Sequence, residues 1–198
     1  MRWLAGLLLL ISFSNPALSQ GKQNDVGETI TWSPTEKLNW HDFKNSLKGD
    51  AIEAAYSVCG IYISSSPKQV NDSTLILDVH AFFSETLSSK TTEKELLVDK
   101  VLAHEQGHFD ITEWYSRVIR KDISETTFVN LEDFYKRVQI IYNRENAEYN
   151  SLQVKYDKAT NHSMNTQGQA KWNKIIADGL AQYAAYTNTQ LTITLKNK

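Results

Sequence analysis

The chain has 198 residues, of which 41% are hydrophobic and 22% are charged, and its formal net charge is −2. These values are typical of one ordinary globular domain, with a small appendage at most. The small net charge and the absence of a lysine and arginine cluster give no electrostatic basis for binding nucleic acid or an anionic membrane.

The N-terminus has the three regions of a cleavable export signal. A short positive start is followed by the apolar segment Trp3–Phe13, which is too short to span a bilayer. Ala17-Leu18-Ser19 then fits the small-x-small cleavage pattern, with the cut before Gln20. The alternative interpretations are a buried first helix and a membrane anchor.

We therefore expect a signal peptide at 1–19, a flexible leader at 20–28 and a single domain at 29–198. Position 20 is Gln and not Cys, so no lipid anchor is expected on the new N-terminus. The mature protein is predicted to be secreted or periplasmic, without a membrane anchor after signal cleavage.

The first half of the domain has the alternating pattern of β-strands. Strands are predicted at Ile30–Trp32, Ala54–Ser64 and Thr74–Phe83, and Trp40–Phe43 is predicted to form an aromatic-anchored turn or short helix. A turn signal at 71–73 precedes the last strand, which is antiparallel to the preceding strand if the two form a hairpin.

The second half has the three- and four-residue spacing of helices. Thr91 and Thr92 are predicted to supply an N-cap. Long helices are predicted from Glu93 to about Ile119, at Asn130–Tyr156 and at about Gln167–Tyr186, with a loop at 157–166 and a final strand at Leu191–Leu195. Strands followed by helices predict an α+β fold.

The first of these helices carries the sequence His104-Glu105-Gln106-Gly107-His108. Two histidines four residues apart lie on one helix face, so both imidazoles can reach one ion at about 2.0–2.1 Å. Glu105 need not bind the ion and can accept a proton from the water in the open coordination position. The motif predicts one catalytic zinc ion per chain, bound by His104 and His108. The alternative is a helix with two hydrogen-bonded core histidines and a surface glutamate.

Catalytic zinc usually has three protein ligands. Asp110 and Glu113 follow His108 closely but point away from it around the helix. The other histidines are His41, His80, which is expected to be an ordinary packed or exposed histidine, and His162. A loop between two helices can fold back over the first helix, so His162 is the preferred third ligand.

The helix sequence at 102–111 resembles the signature of a bacterial family of exported proteins of unknown function that is predicted to consist of zinc-dependent proteases. Shorter blocks are also similar to that family: Trp40-x-Asp42-Phe43, Glu113 with Arg117, Tyr156-Asp157-x-x-Thr160-x-His162 and Gln169-x-x-Trp172. The resemblance implies His104, His108 and His162 as ligands and Glu105 as the catalytic carboxylate. Ser163 departs from the family pattern, which has glycine there, and serine is less suited to a turn with positive φ.

Three further residues have two interpretations each. Asp157 either accepts a hydrogen bond from a ligating histidine or caps a turn. Tyr156 either donates to the oxyanion of a tetrahedral intermediate, as a catalytic residue, or ends the inner face of the second helix. Cys59, the single cysteine, is either a buried strand residue or, less simply, a nucleophile.

The leading hypothesis is a zincin-type metallopeptidase acting on a peptide or protein substrate. An exposed strand edge is a possible binding place for an extended peptide. The alternatives are a zinc hydrolase of another bond, such as an amide in cell-wall peptide, and a non-enzymatic module that a metal stabilises.

Overall fold

The computed structural model describes residues 26–47 and 53–196. The predicted signal peptide, 1–19, and residues 20–25 of the predicted leader lie outside the described residues. Within the described ranges, no helix combines the length and the apolar character needed to cross a membrane.

The described residues form eight β-strands, three α-helices and three short 3₁₀ helices, and this confirms the predicted α+β class. The strands are β1 (Thr29–Thr31), β2 (Asn45–Ser46), β3 (Ala55–Tyr56), β4 (Cys59–Ile63), β5 (Lys68–Asn71), β6 (Thr74–Ser84), β7 (Ser89–Lys90) and β8 (Gln190–Thr194). The α-helices are α1 (Asp99–Glu125), α2 (Leu131–Thr160) and α3 (Thr166–Gln182), and the 3₁₀ helices are Trp40–Asp42, Lys94–Leu96 and Ala184–Tyr186.

The long strand β6 organises the larger sheet. β1, β4, β5 and β8 all pair with β6 in antiparallel orientation, and Ile61 of β4 lies opposite Ala81. Leu75, Leu77 and Val79 alternate along β6 and are buried, as expected for a strand with one face toward a core. A smaller sheet has the order β2-β7-β3, with β2 and β7 parallel.

Helix α1 contacts β4 and β6 as well as α2 and α3. Its apolar residues Ile111, Ile119 and Ile123 are fully buried in a core shared with the large sheet and with α2. The metal motif therefore lies on a helix whose position is fixed by burial on several sides.

A buried ion-pair network also fixes α1. Glu113 Oε1 accepts from Arg117 at 2.8 Å and from Arg120 at 2.6 Å. Arg120, which is fully buried, also donates to the carbonyl of Val79, and Arg117 donates to that of Leu180. These bonds connect α1 to β6 and α3, so Glu113 and Arg117 have a structural role.

A predicted strand and a predicted helix start were wrong. The predicted strand Ala54–Ser64 is two strands, because β3 pairs with β7 whereas β4 pairs with β6. The predicted N-cap at Thr91 and Thr92 is also wrong, because α1 begins at Asp99 and Val98 is its N-cap without a side-chain hydrogen bond. The Thr91 amide instead donates to the Ala54 carbonyl.

The predicted loop at 157–166 was wrong in its first four residues. Helix α2 continues to Thr160, because Tyr156 and Thr160 lie one turn apart and are both fully buried. Packing therefore outweighs the local preference of a segment rich in Asn, Ser and Thr. As a result, Asp157 lies on the last turn of a helix and not in a loop.

Candidate metal centre

Helix α1 brings the two motif histidines together. The Nε2 atoms of His104 and His108 are 3.2 Å apart, and the two rings meet edge to face. His104 is buried, and its ring stacks on Tyr156 of α2 at a centroid distance of 4.7 Å. The same-face geometry that the four-residue spacing predicts is therefore present.

The outer nitrogen of each ring has a fixed partner. His108 Nδ1 lies 2.7 Å from Gln153 Oε1, and the Gln153 amide nitrogen donates to the His108 carbonyl at 3.0 Å. His104 Nδ1 lies 3.2 Å from Gln169 Oε1, and the Gln169 amide nitrogen donates to the Tyr156 hydroxyl. An amide oxygen can only accept, so each Nδ1 carries the proton. In the neutral tautomer of each ring, the Nε2 lone pair points to the position between the rings.

Asp157 completes this convergence. Its Oδ1 lies 2.9 Å from His108 Nε2 and 3.3 Å from His104 Nε2. This oxygen is buried and has no hydrogen-bond donor of suitable geometry among the described residues. Three acceptor atoms therefore face one another, an arrangement that is stable only with a positive charge among them.

The pKa values of Asp157 and His108 agree with a need for positive charge at this position. Burial alone would raise the pKa of Asp157, but the adjacent His104 and His108 hold it well below its usual range. Burial alone would lower the pKa of His108, but Asp157 beside it raises the pKa to about 9. The site thus attracts a cation, which is a proton on His108 when no metal ion is bound.

The donor set fits zinc. Donors bound tetrahedrally at about 2.0–2.1 Å lie about 3.3 Å apart, and imidazole nitrogen and carboxylate oxygen are common zinc ligands. The three separations among His104, His108 and Asp157 are 2.9, 3.2 and 3.3 Å. One nitrogen or oxygen each of His104, Asp157 and His162 also lie within 4.8 Å of one another.

The chain brings His162 to this site, as predicted from the late loop. Its Nδ1 lies 3.9 Å from Asp157 Oδ1 and 3.0 Å from Glu53 Oε1, and its side chain is 45% exposed. Three successive residues with positive φ, Asn161 at 48°, His162 at 49° and Ser163 at 71°, turn the chain after α2. Ser163, where the resemblance implies glycine, therefore has the left-handed backbone that favours glycine.

Glu105 is buried beside the metal motif. Its Oε2 accepts a hydrogen bond of 2.5 Å from the Ser57 hydroxyl, which lies between β3 and β4. The Glu105 carboxylate also contributes to the raised pKa of His108. Glu105 is therefore not a surface residue, as it would be in the alternative of a helix with two core histidines.

The Tyr156 hydroxyl faces the backbone of α1. It donates to the His104 carbonyl at 3.0 Å and accepts from Gln169 at 2.7 Å, and the side chain is fully buried. A Cβ atom on Gly107 would lie only 2.2 Å from this hydroxyl, so Gly107 is the space in α1 that admits Tyr156. With its one proton engaged and no exposed surface, Tyr156 positions His104, and the geometry does not support the predicted donation to an oxyanion.

The other candidates have partners elsewhere. Asp110 accepts from Trp32 at 2.7 Å, which agrees with its predicted direction away from the site. His80 stacks on Tyr62 and lies 3.0 Å from Asp78, as an ordinary packed histidine does. Burial raises the pKa of the Cys59 thiol well above its ordinary value, so the thiol is protonated at neutral pH and does not suit a nucleophile.

Asp157 and four other side chains at the site have contacts that sequence reasoning missed. Asp157 lies beside Nε2, the converging nitrogen of each histidine, and not beside Nδ1 as a tautomer-fixing partner would. Two glutamines contact the motif histidines: Gln153 contacts His108, and Gln169 contacts His104. Ser57 contacts Glu105, and Glu53 contacts His162. The four-residue interval from Gln153 to Asp157 could have indicated a shared helix face, whereas Ser57 and Glu53 gave no sequence signal.

Residues 73–163 match the model of a family described as bacterial protein of unknown function (DUF922). The DUF922 segment runs from the turn before β6 to the turn after α2. It therefore includes His104, Glu105, His108, Asp157 and His162, but not Ser57, Glu53 or Gln169. Neither a search of curated proteins nor a search of solved structures found a match.

Proposed function

We propose that the protein is an exported, zincin-like zinc peptidase that binds one zinc ion per chain. The observation that carries the proposal is the convergence of His104 Nε2, His108 Nε2 and the buried Asp157 oxygen, with both Nδ1 atoms engaged by glutamine oxygens. His162 lies next to this group and can supply a further donor. Zinc bound there would lower the pKa of its water and polarise a substrate carbonyl.

The residues of the chain have separate roles in this proposal. Glu105 takes the proton from the attacking water and later gives it to the leaving amine. Ser57 donates to one oxygen of Glu105, so it fixes the direction of the carboxylate and leaves the other oxygen for the proton. Gln153 and Gln169 hold the two imidazoles in the tautomer that binds a metal ion.

The proposed substrate class is supported by the sequence resemblance and not by the metal site. The resemblance of the helix sequence to proteins predicted to be zinc-dependent proteases favours a peptide or protein substrate. Export to the periplasm or the medium rests on the N-terminal sequence pattern.

The test is Glu105→Gln in the mature protein, with Glu148→Gln on the exposed side of α2 as the matched control. Glu105→Gln is expected to keep one zinc per chain and to lose hydrolysis of fluorescein-labelled casein by 100-fold or more, within the general range for acid–base catalysis of about 10²–10⁴. The control is expected to match the wild type. Full activity of a zinc-loaded Glu105→Gln protein would refute the general-base role.

Activity on cell-wall peptides but not on casein would instead favour the zinc hydrolase of another bond. A second candidate function is a binding module that zinc stabilises. It is favoured by the number of donors, since His104, His108, Asp157 and His162 together could fill all four tetrahedral positions. Zinc that binds tightly, with no hydrolysis of either substrate and no change on Glu105→Gln, would support that candidate.

A further inference from the structure

We propose that Asp157, and not His162, is the third protein ligand of the zinc ion, and that Glu53 holds His162 beside the open coordination position. This inference rests on the zinc site of the proposed function and specifies its ligands. It replaces a set of three histidines with two histidines and one carboxylate.

The first argument is the distance to the converging nitrogens. Asp157 Oδ1 lies 2.9 Å from His108 Nε2 and 3.3 Å from His104 Nε2, close to the separation of about 3.3 Å for donors on one tetrahedral zinc ion. The ring centroids of His162 and His104 are 6.5 Å apart, whereas those of His108 and His104 are 4.8 Å apart. Asp157 therefore needs less movement than His162 to share an ion with the motif histidines.

The second argument is the burial of the Asp157 carboxylate oxygen without a hydrogen-bond donor in the part of the chain that the structure describes. Its Oδ1 is buried without a suitably directed donor among the described residues, whereas the His162 side chain is 45% exposed and can be hydrated. A buried carboxylate oxygen without a donor is costly unless a cation satisfies it.

The third argument is the rigidity of the two positions. Asp157 is on the last turn of α2, four residues after Gln153, so one helix face carries both this ligand and the partner of His108. His162 lies beyond the helix end in a turn with positive φ, and its side chain is 45% exposed. Precise ligand geometry is easier to maintain from a helix than from a turn.

The assignment has a chemical consequence. A catalytic zinc site has three protein ligands and one open position, and sets of two histidines with one carboxylate occur among such sites. Binding by His104, His108 and Asp157 would leave one position free for water, with the half-exposed His162 nearby. If His162 also bound, the site would be closed.

The test compares Asp157→Asn with His162→Asn, since both replacements introduce the same amide. Zinc affinity of the purified mature protein is measured by competition with a chromophoric chelator. Asp157→Asn is expected to weaken zinc binding by 100-fold or more, and His162→Asn by less than 10-fold. The opposite order, or equal losses, would overturn the assignment.

A measurement on the wild type keeps the inference testable if Asp157→Asn does not fold. X-ray absorption of the zinc-loaded wild type is expected to show two imidazole ligands with oxygen completing the shell, and three imidazoles would overturn the inference. Zinc binding that is unaffected by Asp157→Asn would contradict this inference and leave the proposed function standing. A wild-type chain that binds no zinc would contradict both.

Discussion

Ser163→Gly is expected to stabilise the protein, because Ser163 has a φ of 71° at the turn that carries His162. A left-handed residue other than glycine costs about 1–2 kcal/mol. Glycine returns about 0.5–1 kcal/mol of this through the greater freedom of the unfolded chain. The net gain in the free energy of unfolding is therefore about 0.5–1 kcal/mol, or roughly 1–4 °C in Tm for a domain of this size.

The assay is equilibrium urea unfolding of the mature protein with a chelator present, so that metal binding does not contribute to the free energy of unfolding. Ser151→Gly is the matched control, since Ser151 is exposed within α2. There the same change is expected to cost about 0.5 kcal/mol in helix propensity. If Ser163→Gly destabilises the protein as much as Ser151→Gly does, the backbone strain argument is wrong.

Three further predictions concern the contacts around α1. In the chelator competition, Gln153→Leu is expected to weaken zinc binding about 10- to 100-fold, because it removes the partner of His108 Nδ1. Gln139→Leu, about four turns earlier on α2, is the control and should have no effect. Glu113→Ala leaves two buried arginines unpaired, so urea unfolding should show a loss of about 3–5 kcal/mol, and a loss below about 1 kcal/mol would contradict the network. His108 has a pKa of about 9 without a bound metal ion and is therefore protonated at pH 7.5, so zinc binding should release about one proton from it. Calorimetry in buffers of different ionisation enthalpy measures this release, and its absence would contradict the raised pKa.

The sequence predicted the parts of the site that depend on local spacing. Four residues between His104 and His108 place both imidazoles on one helix face whatever the rest of the fold is. The same logic predicted that Asp110 points away from His108. The connection between α2 and α3 was expected to fold back over the first helix, and His162 lies beside His104 of α1.

Contacts between distant segments could not be predicted. Ser57 reaches Glu105 because the chain changes from the small sheet to the large sheet at that point, and no local pattern indicates such a change. The end of α2 was misjudged because burial of Thr160 outweighs its weak helix propensity. That error concealed the position of Asp157, which a loop assignment leaves free to face any direction.

The claim that the motif on α1 is a metal centre is tested most directly by the zinc content of the mature wild-type protein purified without added metal. We expect about one zinc per chain by mass spectrometry of the digested protein, and less than a tenth of that in a His104→Ala, His108→Ala double variant with an unchanged far-ultraviolet circular dichroism spectrum. A folded wild-type protein that contains no zinc, and takes up none when zinc is supplied, would contradict the account.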